Sequence, residues 1–113
     1  MFYTSTRDRS VRVSAAQAIV RGISADGGLF VPEEIPALSA GDIQTLAAMD
    51  YIGRAKAVLK LYLTDFTDEE ITRCVEGAYA SGKFSDEKVA PLVELYPGTH
   101  ILELWKGPTC AFK

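Results

Sequence analysis

Long apolar runs are missing from this chain: no stretch nears the roughly 18 consecutive apolar residues that a membrane span requires. The beginning also lacks the basic-then-apolar layout of a secretory leader. The expected location is therefore cytoplasmic, with no membrane partner. Basic residues are not in excess. Twelve Lys and Arg against fifteen Asp and Glu give a net charge of -3 and an isoelectric point near 5.1, which excludes a nucleic-acid surface of clustered cations. Cysteine is scarce. Cys74 and Cys110 are too few for a disulfide framework, and a reducing cytosol would keep both as thiols. The single histidine, His100, has no partner at metal-ligand spacing, so no metal site is expected. Repeats, low-complexity tracts and obvious linkers are absent too. What remains is 48% hydrophobic and 24% charged residues over 113 positions, the composition of an ordinary folded domain with enough chain to bury a core.

The local signals predict a small α+β domain of about four helices, a few short strands and a C-terminal β-hairpin. Met1-Phe2-Tyr3-Thr4 suits a strand, and Ser5 to Ser10 reads as a polar loop. Arg7 and Arg9 in that loop have the charge to hold an anion, but a solvated, neutralised face is the expectation. Ser14 with Gln17 makes a capping box for a short helix with Ala15, Ala18 and Ile19 on one face and Gly22 at its end. Asp26-Gly27-Gly28 is a turn signal before a buried strand Leu29-Phe30-Val31, which Pro32 closes. These glycines lack the spacing of a phosphate loop, and a strand follows them where such a loop needs a helix.

Helical periodicity dominates the middle of the chain. Ser39 with Asp42 starts a second helix with Ile43, Leu46 and Ala47 on one face. Asp50 caps a third, with Ile52, Ala55, Leu59, Tyr62 and Leu63 in phase. Thr67 with Glu70 caps a fourth, where Ile71, Cys74, Val75, Ala78 and Tyr79 form a stripe. All three stripes are expected to be core, with Cys74 buried among them as a small hydrophobe. Asp68, Glu69, Glu70 and Glu76 suit first turns and polar faces and carry no expected chemistry. After Gly82 the period becomes two. Leu92, Val93 and Leu95 form one strand, and Ile101, Leu102, Leu104 and Trp105 form another. Pro97-Gly98 lies between them, and because its preferred type II turn matches strand twist poorly, a slightly longer loop is expected.

The last residues carry the chemistry. Cys110-Ala111-Phe112 is an apolar run ending on Lys113, where termini are normally polar and frayed, so the expectation is a chain cut within a larger protein. Gly107-Pro108-Thr109-Cys110-Ala111-Phe112-Lys113 resembles the stretch of threonine synthase whose lysine forms the Schiff base with pyridoxal 5'-phosphate (PLP). Two distant stretches resemble the same family in the same order: Tyr3-Thr4-Ser5-Thr6-Arg7 with Val11-Arg12-Val13-Ser14, and Asp26-Gly27-Gly28-Leu29-Phe30-Val31-Pro32. The chain departs from the family pattern at Lys106, where histidine is common, and at Cys110, where an aliphatic residue is usual.

The resemblance implies a parent enzyme of the fold-type II PLP class, with two α/β lobes. Residues 1–90 would be the N-terminal helical domain, and 91–113 the start of the catalytic domain. It implies a carbon-oxygen lyase that converts O-phospho-L-homoserine and water to L-threonine and phosphate in threonine biosynthesis. Lys113 would be the catalytic and cofactor-binding residue, with Phe112 flanking the cofactor. A lysine suits this work because apolar surroundings disfavour its ammonium form. The fragment alone is expected to be inactive and to bind no PLP, and its apolar end invites self-association. Two alternatives stay open: another fold-type II PLP lyase, and a free-standing helical interaction module without catalysis.

Overall fold

The structure, a computed structural model, describes residues 1–80 and 82–109. Those residues fall into two compact units, Met1–Thr72 and a second beginning at Arg73. In order, the elements are β1 (Phe2–Ser5), β2 (Val13–Ser14), α1 (Ala15–Arg21), β3 (Phe30–Pro32), α2 (Ala40–Ala48), α3 (Tyr51–Tyr62), α4 (Asp68–Tyr79), β4 (Leu92–Tyr96) and β5 (Thr99–Leu102). This is the small α+β domain that the local signals predict.

The first unit is built around a three-stranded antiparallel sheet ordered β2-β1-β3. Tyr3 stands opposite Val13 on one side and Pro32 on the other. Pro32 is the last residue of β3, as its missing N–H dictates, and Glu33 N–H then donates to Phe2 O at 2.9 Å. Helix α1 follows β2 directly. Its capping box is complete, with Ser14 Oγ accepting from Gln17 N–H and the Gln17 side chain accepting from Ser14 N–H. Gly22 ends it at φ 70°, a positive value that glycine adopts far more readily than residues with a Cβ. Ala15 and Ala18 are buried beside Val13 in the core of the sheet region, whereas Ile19, predicted to share that face, is exposed.

Ser5 corrects the loop reading. It is the final residue of β1 and is completely buried. Leu29 is exposed and β3 is only half-buried, because β3 is an edge strand rather than a central one.

The predicted caps form on the other helices. Ser39 Oγ accepts from Asp42 N–H, and Asp50 accepts from Gly53 N–H. Thr67 Oγ1 accepts from Glu70 N–H at 3.2 Å while Glu70 accepts from Thr67 N–H at 2.8 Å. The predicted burial does not follow. Helices α2 and α3 contain no buried residue, with Ile43 and Ala47 exposed and Ile52, Ala55, Leu59, Tyr62 and Leu63 only part-covered. These two short helices pack on each other, and that packing covers their apolar stripes only in part. On α4, Ile71 and Val75 are buried, but Cys74 and Ala78 are exposed, which overturns the expected burial of Cys74. Positions 71 and 75 lie four apart on one line of the helix, and residue 74 is offset from it.

In the second unit, β4 and β5 form an antiparallel hairpin. The loop between Tyr96 and Thr99 is two residues, Pro97-Gly98, shorter than expected. Gly98 has φ 81°, the left-handed value that position i+2 of a type II turn demands. The mismatch with strand twist is absorbed in the strand instead: Glu94 pairs with His100 and Tyr96 with Thr99, leaving Leu95 as an extra, bulged residue. Strand β5 stops at Leu102, so Leu104 and Trp105 lie beyond it in a turn-rich segment.

Candidate functional site

The hairpin leads into the run that sequence reasoning marks as chemical. Glu103 N–H donates to Pro91 O at 2.9 Å, one bond beyond the β4–β5 ladder. Lys106 Nζ then pairs with Glu103 at 3.0 Å, the two side chains 26% and 20% exposed. Thus the residue that departs from the family pattern, Lys106, has its charge met three residues upstream. The Lys106 carbonyl accepts twice from Ser85, from its N–H at 2.9 Å and its hydroxyl at 3.3 Å. Gly107 lies against Phe84, and Pro108 and Thr109 are exposed. The residues expected to hold the cofactor, Lys113 and Phe112, lie outside the described residues, as does Cys110. Sequence reasoning missed Phe84 and Ser85, whose only signal was a polar stretch after Gly82.

The two other family stretches meet in the first unit. Ser5 Oγ donates to Asp26 Oδ1 at 2.9 Å, and Gly28 N–H donates to the same oxygen at 2.8 Å. Arg7 N–H donates to Ser5 Oγ at 3.1 Å, and its guanidinium reaches Asp26 O at 3.1 Å. Thr6 and Leu29 exchange two further bonds, at 2.9 and 3.0 Å. The Gly28 amide first, then the Ser5 hydroxyl, hold the Asp26 carboxyl below its usual range. A Cβ on Gly28 would overlap Ser5 Oγ, and one on Gly27 would stand 2.9 Å from Arg7 Nη1. Gly28 is therefore required by close approach and Gly27 by its φ of 75°, and Arg7 is spent on the turn. Among the described residues, every polar partner in this cluster bonds another member, which marks a structural clasp.

Elsewhere the polar side chains bond in pairs. Asp8 accepts from Ser10, whose hydroxyl and amide lower its pKa. Arg12 pairs with Glu33 at 2.9 Å and lies 3.7 Å over the Phe2 ring. Tyr3 donates to Tyr62 O at 3.2 Å, and Asp65 accepts from Ala16 N–H at 3.0 Å. An open groove of about 220 Å³ runs beside α2 and α3, lined by Leu38, Leu46, Met49, Ala57 and Leu61. Its polar members are committed within α2, Asp42 to Ser39 and Thr45 to Gly41 O. Among the described residues, no three His, Cys, Asp or Glu side chains are grouped to hold a metal, and no helix is long and apolar enough to cross a membrane.

Residues 2–79 match the family model described as threonine synthase N terminus. Threonine synthase from Schizosaccharomyces pombe is 36% identical over 113 residues, covering 98% of this chain and 22% of that protein. Human threonine synthase-like 2 is 35% identical over 115 residues, covering 100% and 23%. A PLP-bound threonine synthase from Brucella melitensis superposes with a TM-score of 0.87 at 35% identity, over 99% of this chain and 24% of that one. The chain thus spans a little under a quarter of the length of these relatives.

Proposed function

We infer that this chain, which belongs to the threonine synthase N-terminus family, is the amino-terminal part of a PLP-dependent threonine synthase. The reaction is conversion of O-phospho-L-homoserine and water to L-threonine and phosphate, with cleavage of the carbon-oxygen bond to phosphate. The observation that carries this reading is the agreement in fold with a PLP-bound threonine synthase over 99% of the chain at 35% identity. The described run into Lys113 fits delivery of such a lysine: a hairpin exit, a fixed peptide at Lys106 and an exposed Pro108-Thr109 turn.

Bound PLP would supply a conjugated ring that takes up the electron pair left when the substrate loses its α-proton. Lys113 is the residue proposed to hold that group through its amine and to carry protons to and from substrate carbon. Its amine does so only when uncharged, which a water-poor, apolar setting favours. Phe112 is proposed to flank the ring and exclude water. Residues 1–90 are proposed as the N-terminal domain and 91–113 as the start of the catalytic domain, in a cytoplasmic enzyme. The 113-residue chain alone is proposed to be inactive and to self-associate through the exposed apolar residues of its hairpin.

Borohydride reduction of the full-length polypeptide with PLP, followed by peptide mapping, tests the assignment. The label is expected on Lys113, and a label on any other side chain refutes it. Turnover of O-phosphohomoserine by the purified 113-residue chain would refute its inactivity. Similarity to a protein named threonine synthase-like 2 favours a second reading, a related lyase acting on another amino acid. Product analysis with O-phosphohomoserine separates the two, threonine supporting the first.

A further inference from the structure

Between α4 and β4 the chain makes a segment whose contacts converge on one peptide. The Phe84 ring stacks on Tyr79, at the end of α4, with centroids 5.7 Å apart and planes 28° from parallel. The same ring lies against Gly107 so closely that a Cβ there would stand 2.7 Å from Cε1 and 3.2 Å from Cδ1. Because the ring is backed by Tyr79, it has less freedom to yield than a lone surface side chain. One residue on, Ser85 gives both its N–H and its hydroxyl to the Lys106 carbonyl. Two donors on one acceptor fix the plane of the Lys106–Gly107 peptide, and the ring fixes the distance of Gly107 from α4. The following residues are held as well: Lys88 N–H donates to Asp86 Oδ1 at 2.8 Å and Val89 N–H to Asp86 O at 3.0 Å. Val89 has φ 65°, a left-handed value that costs a β-branched residue and persists only where the surroundings enforce it.

We propose that Phe84 and Ser85 are positioning residues that set the direction in which the chain leaves Gly107 toward Lys113. The inference rests on the reading of Lys113 as the PLP-holding lysine, six residues beyond Gly107. Neither residue touches the reacting atoms. They act by orienting the segment that carries the amine, and small misplacements of a reacting group cost large factors in rate.

The test uses the full-length polypeptide. Its Lys113 amine adds to the PLP aldehyde and water leaves. Capture is followed by the visible absorbance of bound PLP, by the pH midpoint of that absorbance, and by borohydride trapping. Gly107→Ala is expected to slow capture about tenfold or more, since a Cβ must displace a packed ring, and to move the pH midpoint. Phe84→Ala alone is expected to slow capture as well, because the ring that sets the place of Gly107 is then gone. Ser85→Ala, at an exposed position, is expected to slow capture about two- to fivefold for one lost hydrogen bond with the thermal midpoint unchanged.

Should Gly107→Ala fail to fold, Ser85→Ala carries the test. Capture at the unsubstituted rate and pH midpoint by whichever variant is folded overturns the proposal. If the unsubstituted protein is labelled at a residue other than Lys113, the functional reading itself falls. Correct labelling with unaffected variants removes only the positioning role.

Discussion

Ser5 Oγ and Asp26 Oδ1 are 2.9 Å apart, a hydrogen bond that joins β1 to a turn 21 residues later. It is the centre of the clasp on which the first unit closes, and Gly28 is the residue pressed against it.

Gly28→Ala is expected to destabilise the chain by about 1–3 kcal/mol, the usual cost of overpacking a tight site. Gly77→Ala should do the opposite. A Cβ there meets nothing within 4 Å, and alanine in a helix interior is favoured over glycine by about 0.8–1 kcal/mol. Urea unfolding of both variants checks the pair, and equal effects would contradict the contrast.

Asp26 has its pKa lowered, by the Gly28 amide foremost. In the unfolded chain the group titrates near the usual value of about 3.9. The unfolded state therefore binds more protons in that window, and stability rises with pH through it. The contribution is present above about pH 3.9 and is lost as pH falls through the lower folded value. Asp26→Asn should flatten the acid limb of an unfolding titration below about pH 4. An acid limb unchanged in the variant would contradict this role.

Ser39 closes its capping box on an exposed helix with no buried residue. Packing therefore contributes little to α2, and the cap should matter in proportion. Ser39→Ala is expected to cost about 1 kcal/mol, read by denaturation, with amide exchange accelerating first in residues 40–43. Uniform protection across α2 in the variant would count against this.

Trp105, the single tryptophan, is 49% exposed just beyond the hairpin. If the 113-residue chain self-associates through this surface, acrylamide quenching of its emission should weaken as concentration rises, alongside earlier elution in gel filtration. Quenching independent of concentration would argue for a monomer.

Each helix start was legible in the sequence because a cap is a bargain among residues three apart. Ser14 with Gln17, Ser39 with Asp42 and Thr67 with Glu70 all form as read. Gly22 was legible because its positive φ follows from residue type. At Pro97-Gly98 the place of the turn was legible and its length was not, since the strand bulge at Leu95 lets a two-residue turn stand where a longer loop was expected. Burial was not legible. Cys74, Ile19 and Ile43 sit at apolar positions of periodic stripes and are exposed, since a stripe states what a helix can bury and not what stands opposite it.

By itself the sequence determined the helix caps, the places of the turns and the family motifs, all of them settled over a few residues. Only the tertiary structure decided that Ser5 meets Asp26 and that Ser85 meets Lys106, each pair 21 residues apart. Contacts at that range depend on the path of everything between them, and closing such loops costs entropy that no short pattern records.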